Sequence, residues 1–176
     1  MLTRIAGICI LLAALTVKAG TNGPAGRYLE VTDYLADAFP DGAPDSSTLW
    51  VDGALRASIE TVLGHRFAQL RLRYWYSGDT STWILEEIGK EMPITIGVTI
   101  CADAIVNVRV LEFRESRGWE VKYPFFTDQF RDARLQDDGN LDRNVDGISG
   151  ATLSVRAVTR MARVALLLHD NIKHSG

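Results

Sequence analysis

The sequence predicts an α+β domain, an antiparallel sheet of about four strands with flanking helices and a long C-terminal helix. Three observations predict it. Two segments of the N-terminal half carry apolar residues at helical spacing, two hairpins of alternating or β-branched runs follow, and an Ala-rich amphipathic stretch ends the chain. Helices and strands segregated in this way, rather than alternating, indicate α+β.

Each element has its own signal. Tyr28, Leu29, Val31, Tyr34, Leu35 and Phe39 recur at roughly helical spacing and predict a short helix. Pro40 to Ser47 is rich in Pro, Gly, Asp and Ser and reads as loop. Asp52 is a plausible cap for a helix whose Leu55, Ile59 and Val62 share one face, with a stop near Gly64. From Phe67 the period changes. Leu70, Leu72, Tyr74 and Tyr76 alternate with Arg71, Arg73 and Trp75, and Ser77-Gly78-Asp79 turns the chain into Thr82 to Ile88. Pro93 to Ala102 and Ile105 to Phe113 are separated by little more than Asp103 and predict a second hairpin. Glu115 to Trp119 reads as a polar turn, Pro124 to Arg134 as a short helix around Phe126 and Phe130, and Gln136 to Gly150 as a polar loop. The last helix runs from about Leu153 to Asp170, with Val155, Val158, Ala162 and Ala165 on one face. Its Arg156, Arg160 and Arg163 are read as a solvated stripe.

At 176 residues the chain is one domain's worth of protein. Residues 1–19 read as a signal peptide: Arg4 gives a basic start, Ile5 to Val17 is mostly apolar, and Val17-Lys18-Ala19 offers a cleavage point before Gly20. Such a helix spans roughly 20 Å against a hydrocarbon core of roughly 30 Å, which favours cleavage over retention as an anchor. The expected product is an exported, periplasmic or membrane-associated single domain over residues 20–176 with an N-terminal helical extension. It keeps 17 basic residues against 22 acidic ones, and nucleic acid is an unpromising partner. Cys9 leaves with the leader, so Cys101 has no disulfide partner and reads as a packed thiol.

The informative segment is Asp146-Gly147-Ile148-Ser149-Gly150-Ala151-Thr152, a small-residue loop running into the last helix. Asp142, Asn144, Asp146 and Gly147 match the first half of a calcium loop, but its twelfth position is Leu153 instead of a bidentate carboxylate. Gly147 to Ala151 nearly matches a nucleophile elbow, yet a polar loop stands where the leading strand should be, and Asp170 lies only four residues before His174. No metal site and no catalytic residue is assigned. The third reading is a phosphate site, since a Gly-rich turn opening a helix presents free backbone N–H groups and the positive end of the helix dipole. Such a loop is also a common helix start without any ligand, and the residues alone leave both readings open.

The same run, continued by Leu153-Ser154 and the Ala-rich helix, closely resembles the flavinylation motif of the FMN-binding domain family, which includes the FMN-bearing subunits of sodium-pumping quinone reductase and Rnf complexes. The resemblance covers roughly residues 88 to 170. It implies covalent FMN esterified through its phosphate to Thr152, with Asp146, Gly147, Ser149, Gly150 and Ala151 forming the peptide that a separate flavin transferase recognises. By the same resemblance that transferase uses magnesium and FAD and releases AMP. The turn Glu115-Ser116-Arg117-Gly118 is similar to the family's flavin-facing turn, with Arg117 where a proline is common, so Glu115, Ser116 and Gly118 are expected cofactor contacts. Trp119, Tyr123, Phe125 and Phe126 are available to cover a ring face or to pack the core. The implied function is electron transfer with a membrane-bound redox protein, more an electron carrier than a stand-alone enzyme. The alternative is an exported binding or scaffold domain of the same fold without flavin. Residues 28–87 match no motif.

Overall fold

Pro93–Cys101, the fifth strand, reveals how the layers are arranged, because its two faces are built from different residues. Ile94, Ile96, Val98 and Ile100 point one way into the main core, and each is fully buried. Thr95, Gly97 and Thr99 point the other way, where small side chains leave room for a second layer. The fold is seen in a computed structural model in which residues 25–174 are described. The leader expected at residues 1–19, and Cys9 within it, lie outside the described residues.

In chain order the elements are β1 (Gly26–Arg27), α1 (Val31–Ala38), β2 (Ser47–Trp50), α2 (Gly53–Leu63), β3 (Arg71–Ser77), β4 (Thr80–Ile88), β5 (Pro93–Cys101), β6 (Ala104–Phe113), α3 (Pro124–Thr127) and α4 (Thr152–His174). Single 3-10 turns cover Trp119–Lys122 and Asp128–Phe130. The sheet has six strands in the order β1-β6-β5-β4-β3-β2, every pair antiparallel. The α+β class and the antiparallel sheet are therefore as expected, with two more strands than the approximate four. The additions are the edge strands β1 and β2, of two and four residues, too short for a period to register.

The predicted helix and hairpin signals have identifiable physical origins. The Asp52 carboxylate accepts the Leu55 N–H at 2.8 Å and caps α2, which ends on Gly64 in the left-handed conformation at φ 75°. The β5–β6 turn places Ala102 and Asp103 at φ 48° and 67°, the pair of positive values that a two-residue hairpin demands. α1 covers the small face of β5. The Tyr34 ring lies so close to Gly97 that a Cβ there would stand 2.5 Å from it, and its hydroxyl shares a hydrogen bond with Thr99 Oγ1 at 3.0 Å.

α2 and α4 cover the opposite face. Leu55, Ile59, Val62 and Leu63 of α2 join Val158, Met161, Ala162, Ala165 and Leu168 of α4 in one core with Trp83, Leu85 and the large residues of β5 and β6. Burying an aliphatic side chain fully is worth about 1.5–3 kcal/mol, so this layer carries much of the fold's stability. The N-terminal half is thus built into the sheet and core. α4 runs four residues beyond its expected end. Its arginines differ from the predicted solvated stripe: Arg156 is exposed, but Arg160 pairs with the buried Glu87 at 3.4 Å and Arg163 Nε donates to Gly139 O at 2.5 Å. Among the described residues no helix is long and apolar enough to cross a membrane.

Candidate functional site

Register brings two turns to one end of the sheet, and packing sets the start of α4 beside them. Ile88 pairs with Pro93 across β4–β5, and Ile94 pairs with Phe113 across β5–β6, so the turn after β4 and the turn after β6 emerge at the same end of the sheet. A hollow of about 650 Å³ opens there, lined by Lys90, Glu115, Ser116, Arg117, Gly150, Ala151, Thr152, Leu153 and Ser154. That volume lies within the range of roughly 300–1,000 Å³ common for small-molecule sites.

The loop into α4 is pinned from inside and presents its polar residues outward. Val145 and Ile148 pack against the core, whereas Asp146, Gly147, Ser149 and Gly150 are exposed. Asp146 donates its backbone N–H to Gln129 Oε1 at 2.7 Å. The Ala151 N–H closes a turn on the Ile148 carbonyl at 3.0 Å, with Gly150 at φ 82°, a conformation that favours glycine. Ala151 has no side-chain oxygen to cap the helix. Among the described residues the N–H groups of Thr152, Leu153 and Ser154 enter no hydrogen bond, which leaves the first turn of α4 as open donors beside the Thr152 hydroxyl. The helix dipole adds about 0.3–1 kcal/mol for an anion held there.

The second turn abuts this helix start. Gly118, at φ 84°, lies so near Ser154 that a Cβ would overlap its hydroxyl oxygen and stand 3.5 Å from Ala151 Cβ. Glu115 is only 6% exposed and turns one carboxylate oxygen onto three backbone N–H groups, those of Lys90, Glu91 and Met92, at 2.5, 2.7 and 3.0 Å. Burial opposes its ionisation, but those three amides and the charge of Lys90 outweigh it and hold the carboxyl below its usual range. Ser116 and Arg117 stand exposed on the rim.

Of the expected contacts, the structure gathers Thr152, Gly150, Ala151, Glu115 and Ser116 around one hollow, with Gly118 packed behind it. Asp146, Gly147 and Ser149 lie on the loop outside the lining. The four aromatic candidates do not line it either. Phe126 is buried edge-to-face against Phe130 at 5.4 Å, Trp119 packs on the core and on Tyr123, and Phe125 is exposed. Asp142 of the calcium-like run is engaged by the Arg134 N–H and Arg143 Nε at 3.1 and 3.3 Å, and Asp170 pairs with His174 at the opposite end of α4, roughly 30 Å from Ser149 by helix rise. Sequence reasoning missed Lys90, Arg117, Leu153 and Ser154 as lining residues. Lys90 was findable, since the two predicted hairpins already place the Gly89-Lys90-Glu91-Met92 turn beside Glu115.

Residues 89–167 match the family model of the FMN-binding domain. The chain carries an FMN-binding domain. The matched span begins at the turn that holds Lys90 and runs through Thr152 into α4, so it contains every residue lining the hollow. No curated protein matches the chain significantly. The residues present fit the phosphate end of FMN: three unbonded amides at a helix N-terminus, a hydroxyl among them, and the cationic side chains of Lys90 and Arg117 in the same lining.

Proposed function

We propose that this FMN-binding domain is an exported flavoprotein that carries its FMN covalently, as a phosphoester on Thr152, and relays electrons to or from a membrane-bound redox protein. The observation that carries the reading is the position of Thr152, exposed at the first residue of α4, with open amide donors around its hydroxyl and a hollow of ligand size before it. A phosphate tethered there is stabilised by the helix start that holds it.

The chain supplies binding and orientation. Thr152 has no histidine or lysine base in its own segment to activate it, and an unperturbed hydroxyl is a weak nucleophile, so attachment requires a separate flavin transferase. The exposure of Asp146, Gly147, Ser149 and Gly150 suits a loop that another enzyme must grip. FMN, when bound, supplies one- and two-electron chemistry. A tether keeps that group at high effective concentration outside the cytoplasm, where a dissociated flavin would dilute away.

The test is coexpression with a flavin transferase followed by denaturation. Flavin fluorescence that stays with the chain, and an added mass of one FMN less water, are expected for wild type and absent from Thr152→Val, which keeps the side-chain shape and removes the hydroxyl. A wild-type chain without retained flavin would instead support a scaffold domain of the same fold. For location, N-terminal sequencing from the native host should begin at or near Gly20 in an extracytoplasmic fraction. A full-length cytosolic chain would count against export.

A further inference from the structure

The carboxylate of Glu115 shares the hollow with Thr152, yet its Oε1 is committed to the backbone of another turn. It accepts the N–H groups of Lys90, Glu91 and Met92 in succession, at 2.5, 2.7 and 3.0 Å. The same oxygen explains the glycine at position 89, where a Cβ would stand 2.9 Å from Glu115 Oε1 and 3.1 Å from Ile94 Cδ1. An oxygen so occupied holds its own turn better than it holds a ligand. What that turn brings to the hollow is Lys90. Among the described residues the Lys90 ammonium pairs with its neighbour Glu91 alone, at 3.2 Å, both side chains being about 70% exposed, and an ion pair that solvated gives way readily to a phosphate.

We propose that Lys90 is a cation by which this site distinguishes a phosphorylated flavin from an unphosphorylated one, and that Glu115 is its positioning residue, acting by fixing the Gly89–Met92 turn beside the start of α4. The inference rests on the flavin reading above and deepens it. Lys90 contributes charge, and Glu115 contributes place. One carboxylate gathering three consecutive amides leaves the turn little freedom, so the lysine that follows Gly89 loses less entropy on meeting a phosphate.

The experiment titrates apoprotein made without a transferase with FMN and with riboflavin, which differ by the phosphate alone, and follows quenching of flavin fluorescence. Wild type should prefer FMN. Lys90→Gln should weaken FMN binding by about threefold to tenfold and leave riboflavin binding unchanged, with Lys90→Arg restoring the preference. Glu115→Ala, which removes the acceptor oxygen, should produce the same selective loss, and the double variant should lose no more than Lys90→Gln alone. Should Glu115→Ala fold poorly, Gly89→Ala displaces the turn from the same oxygen and should show the same selectivity. A wild type without preference, losses equal for both ligands, or additive losses in the double variant would each overturn the proposal. Failure of the covalent reading is separately visible, because a transferase-treated wild type that retains no flavin loses the Thr152 ester while the apoprotein preference is still read.

Discussion

At its N-terminal end α4 starts at Thr152 with unbonded amides, an exposed hydroxyl and a glycine turn in front of it, whereas near its other end the polar ring of His169 is enclosed against the sheet. His169 is 1% exposed and its Nδ1 meets Ser81 Oγ at 2.8 Å; Ser81 in turn accepts Trp83 Nε1 at 2.9 Å. His169 Nε2 lies 3.4 Å from Asp103 Oδ1, too poorly aligned for a hydrogen bond, and Lys173 grips the same carboxylate at 2.5 Å. One helix therefore has an open end, where we propose the flavin docks, and an end locked to the sheet. Polar residues mark both ends in the sequence, and only their burial separates the two roles.

Breaking the locked end should cost the most stability and the least chemistry. His169→Ala removes a buried ring and one of the two hydrogen-bond partners of the Ser81 hydroxyl, with an expected loss of about 2–4 kcal/mol in denaturant unfolding. The fraction that remains folded should still be flavinylated like wild type, and a parallel loss of flavin would show that the two ends are coupled. At the open end, Gly118→Ala should cost about 1–3 kcal/mol, since its left-handed backbone is strained by any side chain and the new Cβ overlaps Ser154. Covalent flavin should fall with it, read by intact mass.

Gly150 sharpens the contrast, because it shares the left-handed conformation but a Cβ there meets nothing within 4 Å. Gly150→Val should cost only the strain, about 1–2 kcal/mol, and still block attachment by standing in the hollow. Wild-type flavinylation of that variant would argue against close backbone approach. The smallest effect concerns pH. Burial lowers the His169 pKa against the pull of Asp103, so its contribution is complete above its unfolded value near 6.5 and is lost as pH falls toward the folded value. His65 behaves oppositely: its hydrogen bond to Glu87 raises its pKa, and its contribution is present below 6.5 and lost as pH rises through the folded value. Unfolding midpoints should therefore peak near pH 6.5, and His65→Gln should flatten the alkaline side alone.

Much of this was legible where period and spacing are strong. The helix over Leu55, Ile59 and Val62 with its Asp52 cap, and both hairpins, the second turning close to Asp103, follow from local rules, and the structure contains them. The loop at residues 146–152 was singled out for its small residues and its place before a helix, and the hollow lies at that junction. Tertiary effects were not legible. Glu115 is an acidic residue in a polar turn by sequence, and only the fold shows three amides converging on it. Arg163 belongs to a stripe that periodicity assigns to solvent, but the chain returning through Gly139 covers it. The edge strands β1 and β2 borrow their conformation from longer neighbours, which single-segment patterns do not register.

The strand order carries a kinetic consequence. From β2 to β6 each strand pairs with the next one in the chain, so the greater part of the sheet closes through short connections whose loop entropy is small. Such local pairing favours fast assembly, hairpin by hairpin, as each segment becomes available. Among the described residues, long separations are spanned by β1 onto β6, α1 onto β5 and α4 onto the finished sheet. A kinetic series of core substitutions should accordingly find β4 and β5 formed early and α4 late, with Met161→Ala speeding unfolding more than it slows folding. The segment bearing Thr152 would then be among the last parts of the chain to lose its freedom.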